Sequence, residues 1–126
     1  MYLESIDISE FGKSYNSLNK EASHKYFAIK ASTGKCGEID YTYIDERTIE
    51  IISIYIEGEQ RERGMGRKAV YILFETLNID KILFFVTTES LKFWLRIGAI
   101  KAETRDLYYL NKETYDEYKR SSQIID

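Results

Sequence analysis

The residues in this chain whose types and spacing could do chemistry are Arg61-Glu62-Arg63-Gly64-Met65-Gly66. They hold two of the seven glycines, one residue apart, among arginines. Arg67 and Lys68 follow directly. A strongly apolar run from Thr48 to Glu57 leads in, and a helical pattern leads out. Glycines where a strand turns into a helix remove side chains over the first helical turn. The backbone N–H groups bared there lack partners within the helix and sit at its positive end, so they bind anions. The surrounding cations make a phosphate-bearing ligand the sharper reading. The plain alternative is a tight turn with solvated arginines.

Two phosphate motifs fail on spacing. A P-loop sets its glycines farther apart and follows them with Lys-Ser/Thr, where this chain has Arg67-Lys68. A dinucleotide-binding turn needs a third glycine and an acid at the end of the next strand. Here the third glycine is missing, and that strand ends in Thr87-Thr88.

Other chemistries find little support. His24 and Cys36 are the only histidine and cysteine, which argues against zinc and gives no site metal. His24 sits in a polar stretch (EASHKY) and reads as a solvated residue. A lone cysteine forms no internal disulfide and fits a reducing compartment, here expected to be the cytoplasm. The net charge of −3 argues against bulk binding to nucleic acid. No apolar run is long enough to span a membrane, and the N-terminus does not read as a secretory signal. With 126 residues, 44% of them apolar, residues 1–126 are expected to form a single domain.

The elements that must position the glycine turn follow from periodicity. Tyr2 to Ile8 alternates weakly, as a first strand. Ser9 to Ala22 is polar and mixed, with room for one short helix. Lys25 to Ala31 and Cys36 to Tyr43 read as two strands of a hairpin around Ser32–Lys35. Thr48 to Glu57 carries isoleucines on both faces, as a central covered strand does. From Gly66 the period changes, and Ala69, Val70, Leu73, Phe74 and Leu77 mark one face of a helix. Lys81 to Thr87 is a buried strand. Strand, helix and strand make a βαβ unit, so Thr48–Glu57 and Lys81–Thr87 are expected to be parallel neighbours. Thr87, Thr88 and Ser90 offer caps for a helix from Glu89 to Ile97 that Gly98 stops. Ala99–Lys101 and Asp106–Leu110 form a last hairpin, Asn111–Arg120 a terminal helix, and Ser121–Asp126 a frayed end. The class is α/β with a mixed sheet.

Arg-x-x-Gly-x-Gly, after a central strand and opening a helix, resembles the acetyl-CoA signature of the GNAT N-acetyltransferase superfamily. Arg61, Gly64 and Gly66 occupy its fixed positions. Gly37-Glu-Ile is similar to the family's usual third strand. Phe93-Trp94-Leu-Arg-Ile-Gly98-Ala99 resembles its later aromatic segment, and Tyr108-Tyr109-Leu110-Asn-Lys112 its closing strand. The resemblance runs in order from about residue 25 to residue 112. It implies a mostly antiparallel mixed sheet, flanked by helices, with a central splayed parallel strand pair. There are departures. Trp94 stands where the family usually has Tyr, Ala99 where it has Phe, and Thr87 where it has Asn near a strand end.

By that resemblance an amine attacks the thioester of acetyl-CoA directly. The N–H groups of Arg61, Glu62, Arg63, Gly64, Met65, Gly66 and Arg67 would hold the pyrophosphate. Ile54, Tyr55 and Ile56 would pair their backbone with the pantetheine arm, and the Ile56 N–H would stabilise the oxyanion. Thr87 and Trp94 would complete the cofactor site. At pH 7 only about one free lysine in two thousand is neutral, given a pKa of ~10.4, so a base is useful. Glu50 is the candidate, at the spacing before Gly64 where the histone-modifying branch carries its basic Glu. It is expected to share a strand face with Ile52, Ile54 and Ile56; the plain alternative is a solvated glutamate. Glu57 and Glu59 stand nearer the loop. Trp94 has no useful acidity for the departing thiolate, which leaves Tyr71, Tyr108 and Tyr109 as substitutes. The expected partners are acetyl-CoA and an amine acceptor, protein or small molecule, and a homodimer stays open. The rival readings are a non-catalytic acyl-CoA-binding module and a protein-interaction module that kept the fold.

Overall fold

A computed structural model of the chain describes residues 1–11, 24–32, 34–57, 65–104 and 106–125, with backbone alone at Met65 and residues 122–125. The strands are β1 (Tyr2–Ser5), β2 (Lys25–Ala31), β3 (Gly34–Asp45), β4 (Thr48–Ile56), β5 (Lys81–Phe85), β6 (Ile100–Lys101) and β7 (Leu107–Asn111). They form one sheet in the order β1-β2-β3-β4-β5-β7-β6. The described helices are α1 (Met65–Thr76), α2 (Leu91–Arg96) and α3 (Lys112–Ile125). Neighbouring strands run antiparallel except β4 and β5, which are parallel and joined through α1. This is the mixed, mostly antiparallel α/β sheet with a central parallel pair that the sequence leads one to expect.

Local chemistry accounts for most boundaries. The β3–β4 hairpin closes on the Asp45 carboxylate, which accepts the Arg47 N–H at 2.8 Å. The Arg47 guanidinium grips Asp80 with two bonds of 2.8 and 2.7 Å, tying that hairpin to the entry of β5. The pairing holds the Asp80 carboxyl below its ordinary range. β1 stops at Ser5, short of Ile8, because the Asp7 carbonyl accepts the N–H groups of Glu10 and Phe11 in a turn. The helix expected over Ser9–Ala22 falls almost wholly outside the described residues. α3 continues to Ile125, where the sequence pattern had a frayed end from Ser121. It carries no Gly or Pro to stop it, and Tyr115 and Tyr118 anchor it on Tyr71 with ring centroids 5.6 and 5.0 Å apart.

The two faces of the sheet differ. Residues opposite each other in register share a face. One face carries Ile29, Ile39, Tyr41, Ile49, Ile51, Ile56, Ile82, Phe84 and Leu110, and packs on α1 through Ala69, Val70, Leu73 and Phe74. Burial there pushes the Tyr41 phenol up to about 12. The opposite face carries Tyr26, Glu38, Asp40, Thr42, Glu50, Ser53 and Tyr55.

A β-bulge in β4 governs this division. Asp40 faces Ser53, but the next β3 residue, Tyr41, faces Ile51, so Ile52 is the extra residue. Alternation slips by one across it. Glu50, opposite Thr42, therefore stands on the polar face and not with Ile54 and Ile56, correcting the shared apolar face expected from unbroken alternation.

Gly37 explains how closely β3 and β4 approach at their far end. A Cβ built there would lie 2.1 Å from the Tyr55 carbonyl oxygen. Gly37→Ala is expected to destabilise the fold by about 1–3 kcal/mol, as overpacking does. Urea unfolding of the two proteins measures it, and an unchanged midpoint would show that the strands separate freely.

Candidate active site

The parallel ladder runs from Thr48↔Lys81 to Ile51↔Phe84 and stops, while β4 continues to Ile56. The bond from the Glu57 N–H to the Cys36 carbonyl, 2.8 Å, fixes the phase of the β3 side of the ladder. By alternation, Ile54 and Ile56 turn their backbone groups to the side that β5 has left. A cleft of about 600 Å³ opens there, lined by Ile54, Tyr55, Ile56, Gly66, Thr87 and Trp94, with Glu89, Ser90 and Phe93.

Six residues singled out by sequence thus meet around one cavity. Arg61, Glu62, Arg63 and Gly64 lie outside the described residues, as does Glu59. Met65 opens α1. Gly66 sits against Phe93, whose Cε1 would be 2.8 Å from a Cβ at that position. Its bareness therefore serves the packing of α1 on α2 as well as access to backbone N–H groups. Arg67 turns its side chain away. Its Nη2 donates to the Arg96 carbonyl at 3.1 Å, and its guanidinium lies over the Tyr118 ring, 5.1 Å from the centroid. Lys68 lies in the groove between α1 and α3. Neither side chain lines the cleft.

Trp94 is 4% exposed and stacks on Phe84 with centroids 3.8 Å apart, under the cleft. The three substitute tyrosines do not line the cavity. Tyr71 donates its hydroxyl to the Ile97 carbonyl at 2.7 Å, and burial raises its phenol. Tyr108 faces the core opposite Phe84, and Tyr109 has Lys81 over its ring. Tyr55 is the tyrosine that does line it. Ser90 makes no side-chain cap for α2; its hydroxyl donates to the Thr87 carbonyl at 3.2 Å instead, and the Thr87 hydroxyl donates back at 3.0 Å. The pair shapes the turn at one rim. Gly98 ends α2 with φ +99°, as its position implies.

On the polar face the structure corrects the reading of His24 as solvated. Its side chain is 10% exposed, and Nδ1 lies 3.0 Å from Asp40 Oδ2. Asp40 is 1% exposed and also accepts the Ser53 hydroxyl. Glu38, equally buried, accepts from Lys35. Sequence reasoning missed Asp40 and Ser53. The one available signal was an acid among apolar neighbours in β3.

No protein-family model matches the chain, and no curated protein matches it. Solved structures do. A chimera of the spermidine N-acetyltransferase SpeG from Vibrio cholerae and hSSAT is 17% identical, with 93% of this chain and 99% of that one covered at a TM-score of 0.63. Tetrahymena GCN5 is 13% identical, covering 72% and 69%, with a TM-score of 0.59. The Campylobacter jejuni N-acetyltransferase PseH is 22% identical, covering 72% and 70%, with a TM-score of 0.56. The chain has the fold of the GNAT N-acetyltransferases.

The stacking under the cleft yields a direct test. Trp94→Ala is expected to cost about 3–5 kcal/mol in chemical unfolding, and Trp94→Phe distinctly less. Equal, small losses would mean that the Phe84 stack does not support the cleft floor.

Proposed function

We propose that the chain is an N-acetyltransferase that moves an acetyl group from acetyl-CoA to an amine, acting in the cytoplasm as a single domain. The observation that carries this reading is the cleft where β4 outruns β5, in a fold shared with N-acetyltransferases. The acceptor is an amine of a protein or of a small molecule.

Cofactor and residues fit each other. A pantetheine arm carries amides that pair along a strand, and Ile54 and Ile56 turn their backbone to the cleft it would enter, with Tyr55 between them. The N–H groups from Arg61 to Arg67 would take the pyrophosphate at the start of α1. Thr87 and Trp94 shape the opposite wall. The Ile56 N–H is the oxyanion donor in this reading.

The reaction balances as follows. An ammonium loses one proton to Glu50, directly or through water. The nitrogen lone pair then attacks the thioester carbonyl, the C–S bond breaks, and the nitrogen sheds a second proton. The CoA thiolate takes up one proton, and one is released in net. A thiol is much more acidic than an alcohol or an amine, which makes the thiolate a tolerable leaving group without an acid at Trp94. Glu50 suits the role by its half-buried place on the polar face, two strand positions below the bulge.

Three outcomes are expected. Calorimetry should show CoA binding that weakens from low to high salt and on Arg61→Ala, because phosphate contacts are partly ionic. Gly66→Val should abolish binding by driving the Phe93 ring and filling the turn. Salt-independent, variant-independent affinity would reduce the basic stretch to a solvated turn. Glu50→Gln should leave CoA affinity unchanged and lower the acetylation rate roughly 10²-fold near neutral pH, with the deficit shrinking as pH rises. A wild-type rate from pH 6 to 9 would remove Glu50 from the mechanism.

A further inference from the structure

Two strands and the residue that leads into a third place three polar groups at a single spot on the polar face. His24 enters β2, Asp40 lies in β3, and Ser53 stands opposite Asp40 in β4. Asp40 Oδ1 accepts the Ser53 hydroxyl, and Oδ2 pairs with His24 Nδ1 at 3.0 Å. A carboxylate only accepts, so both neighbours must donate. The Ser53 proton is thereby committed to Asp40, and the His24 proton sits on Nδ1. Ser53 Oγ is left with its lone pairs as an accepting group.

The position of that oxygen matters. Ser53 adjoins the bulge and immediately precedes Ile54, the first residue of the cleft wall. It is partly exposed, on the face away from α1. An accepting oxygen backed by a buried carboxylate selects a hydrogen-bond donor, and a cationic donor over a neutral one. A hydroxyl donor such as an alcohol would gain less than a primary ammonium.

We propose that Ser53 positions the acceptor, its Oγ taking an N–H of a primary alkylammonium and holding that nitrogen beside the acetyl carbonyl. Asp40 and His24 are positioning residues that act through it. The assignment rests on the acetyltransferase reading and leaves proton removal to Glu50. It favours an ammonium over a hydroxyl at this position.

The test is acetyl transfer from acetyl-CoA to lysine amide, a peptide N-terminus and spermidine, by the full chain and by Ser53→Ala, Ser53→Thr and Asp40→Asn. Ser53→Ala should raise the KM for the amine about 10- to 100-fold, the worth of a hydrogen bond to a charged group, and leave the KM for acetyl-CoA unchanged. Ser53→Thr, which keeps the oxygen, should restore it. Asp40→Asn can donate to Ser53 and so reverse its polarity; it should behave like Ser53→Ala. Because His24 is the only histidine, nitrogen NMR of its imidazole, at a pH where the ring has lost its second proton, gives a readout free of turnover. It should show the Nδ1-protonated tautomer in the parent and in Ser53→Ala. An amine KM unchanged in Ser53→Ala overturns the proposal, as does an equal loss in both substrates or an Nε2-protonated tautomer in the parent. A parent protein that binds no CoA and acetylates none of the three amines overturns the acetyltransferase reading itself, and the role of Ser53 with it.

Discussion

The structure turns on the place where the parallel ladder between β4 and β5 ends. Up to Ile51 and Phe84 the two strands satisfy each other; beyond, β4 continues along the cleft without β5 at its side. Backbone polar groups near a core must find partners, so such an ending is sustained only by neighbours that hold the strands apart. The bulge at Ile52 bends β4 away, and the Phe84–Trp94 stack fills the space beneath. The Thr87–Ser90 turn sends the chain off into α2 before β5 can follow β4 further. Gly66 then lets α1 close against Phe93 at the other rim.

The same bulge distributes chemistry between the faces. Below it Ile49 and Ile51 are in the core, and above it Ile56 is in the core and Ile54 packs against it, so the apolar side is continuous although the count of residues is not. The polar face gains Glu50, Ser53 and Tyr55 in one column beside Asp40 and Glu38. Buried acids are tolerated there because each accepts from a named donor: Asp40 from His24 and Ser53, Glu38 from Lys35. Among the described residues the core side offers no buried acid. Amine chemistry in the proposed reaction therefore belongs to the polar face, with the cofactor between the splayed strands.

Much of this was legible in the sequence. The aromatic and branched residues of Lys25–Ala31, the isoleucines of Thr48–Glu57 and the helical period from Ala69 to Leu77 reflect burial that each element meets by itself, and the three elements form there, within a residue or so of the expected ends. The parallel pairing of β4 and β5 follows from the intervening helix, and the GNAT fold from motif order. The bulge was not legible, since an extra residue shows only against a partner strand, and Glu50 was placed on the wrong face for that reason. His24 looked solvated because its neighbours in sequence are polar, whereas its partner lies sixteen residues away in β3. Arg67 counted as a cofactor-facing cation by proximity, yet Tyr118, on the last helix, draws its side chain off.

In the proposed reaction a linear acyl carrier lies along β4 where the ladder with β5 has ended. Amide hydrogen exchange at Ile54, with and without saturating acetyl-CoA, tests it most directly. Marked slowing is expected at Ile54 on adding the cofactor, with little change at Ile49, whose ladder with β5 is already closed. Exchange at Ile54 that is the same with and without acetyl-CoA would contradict it.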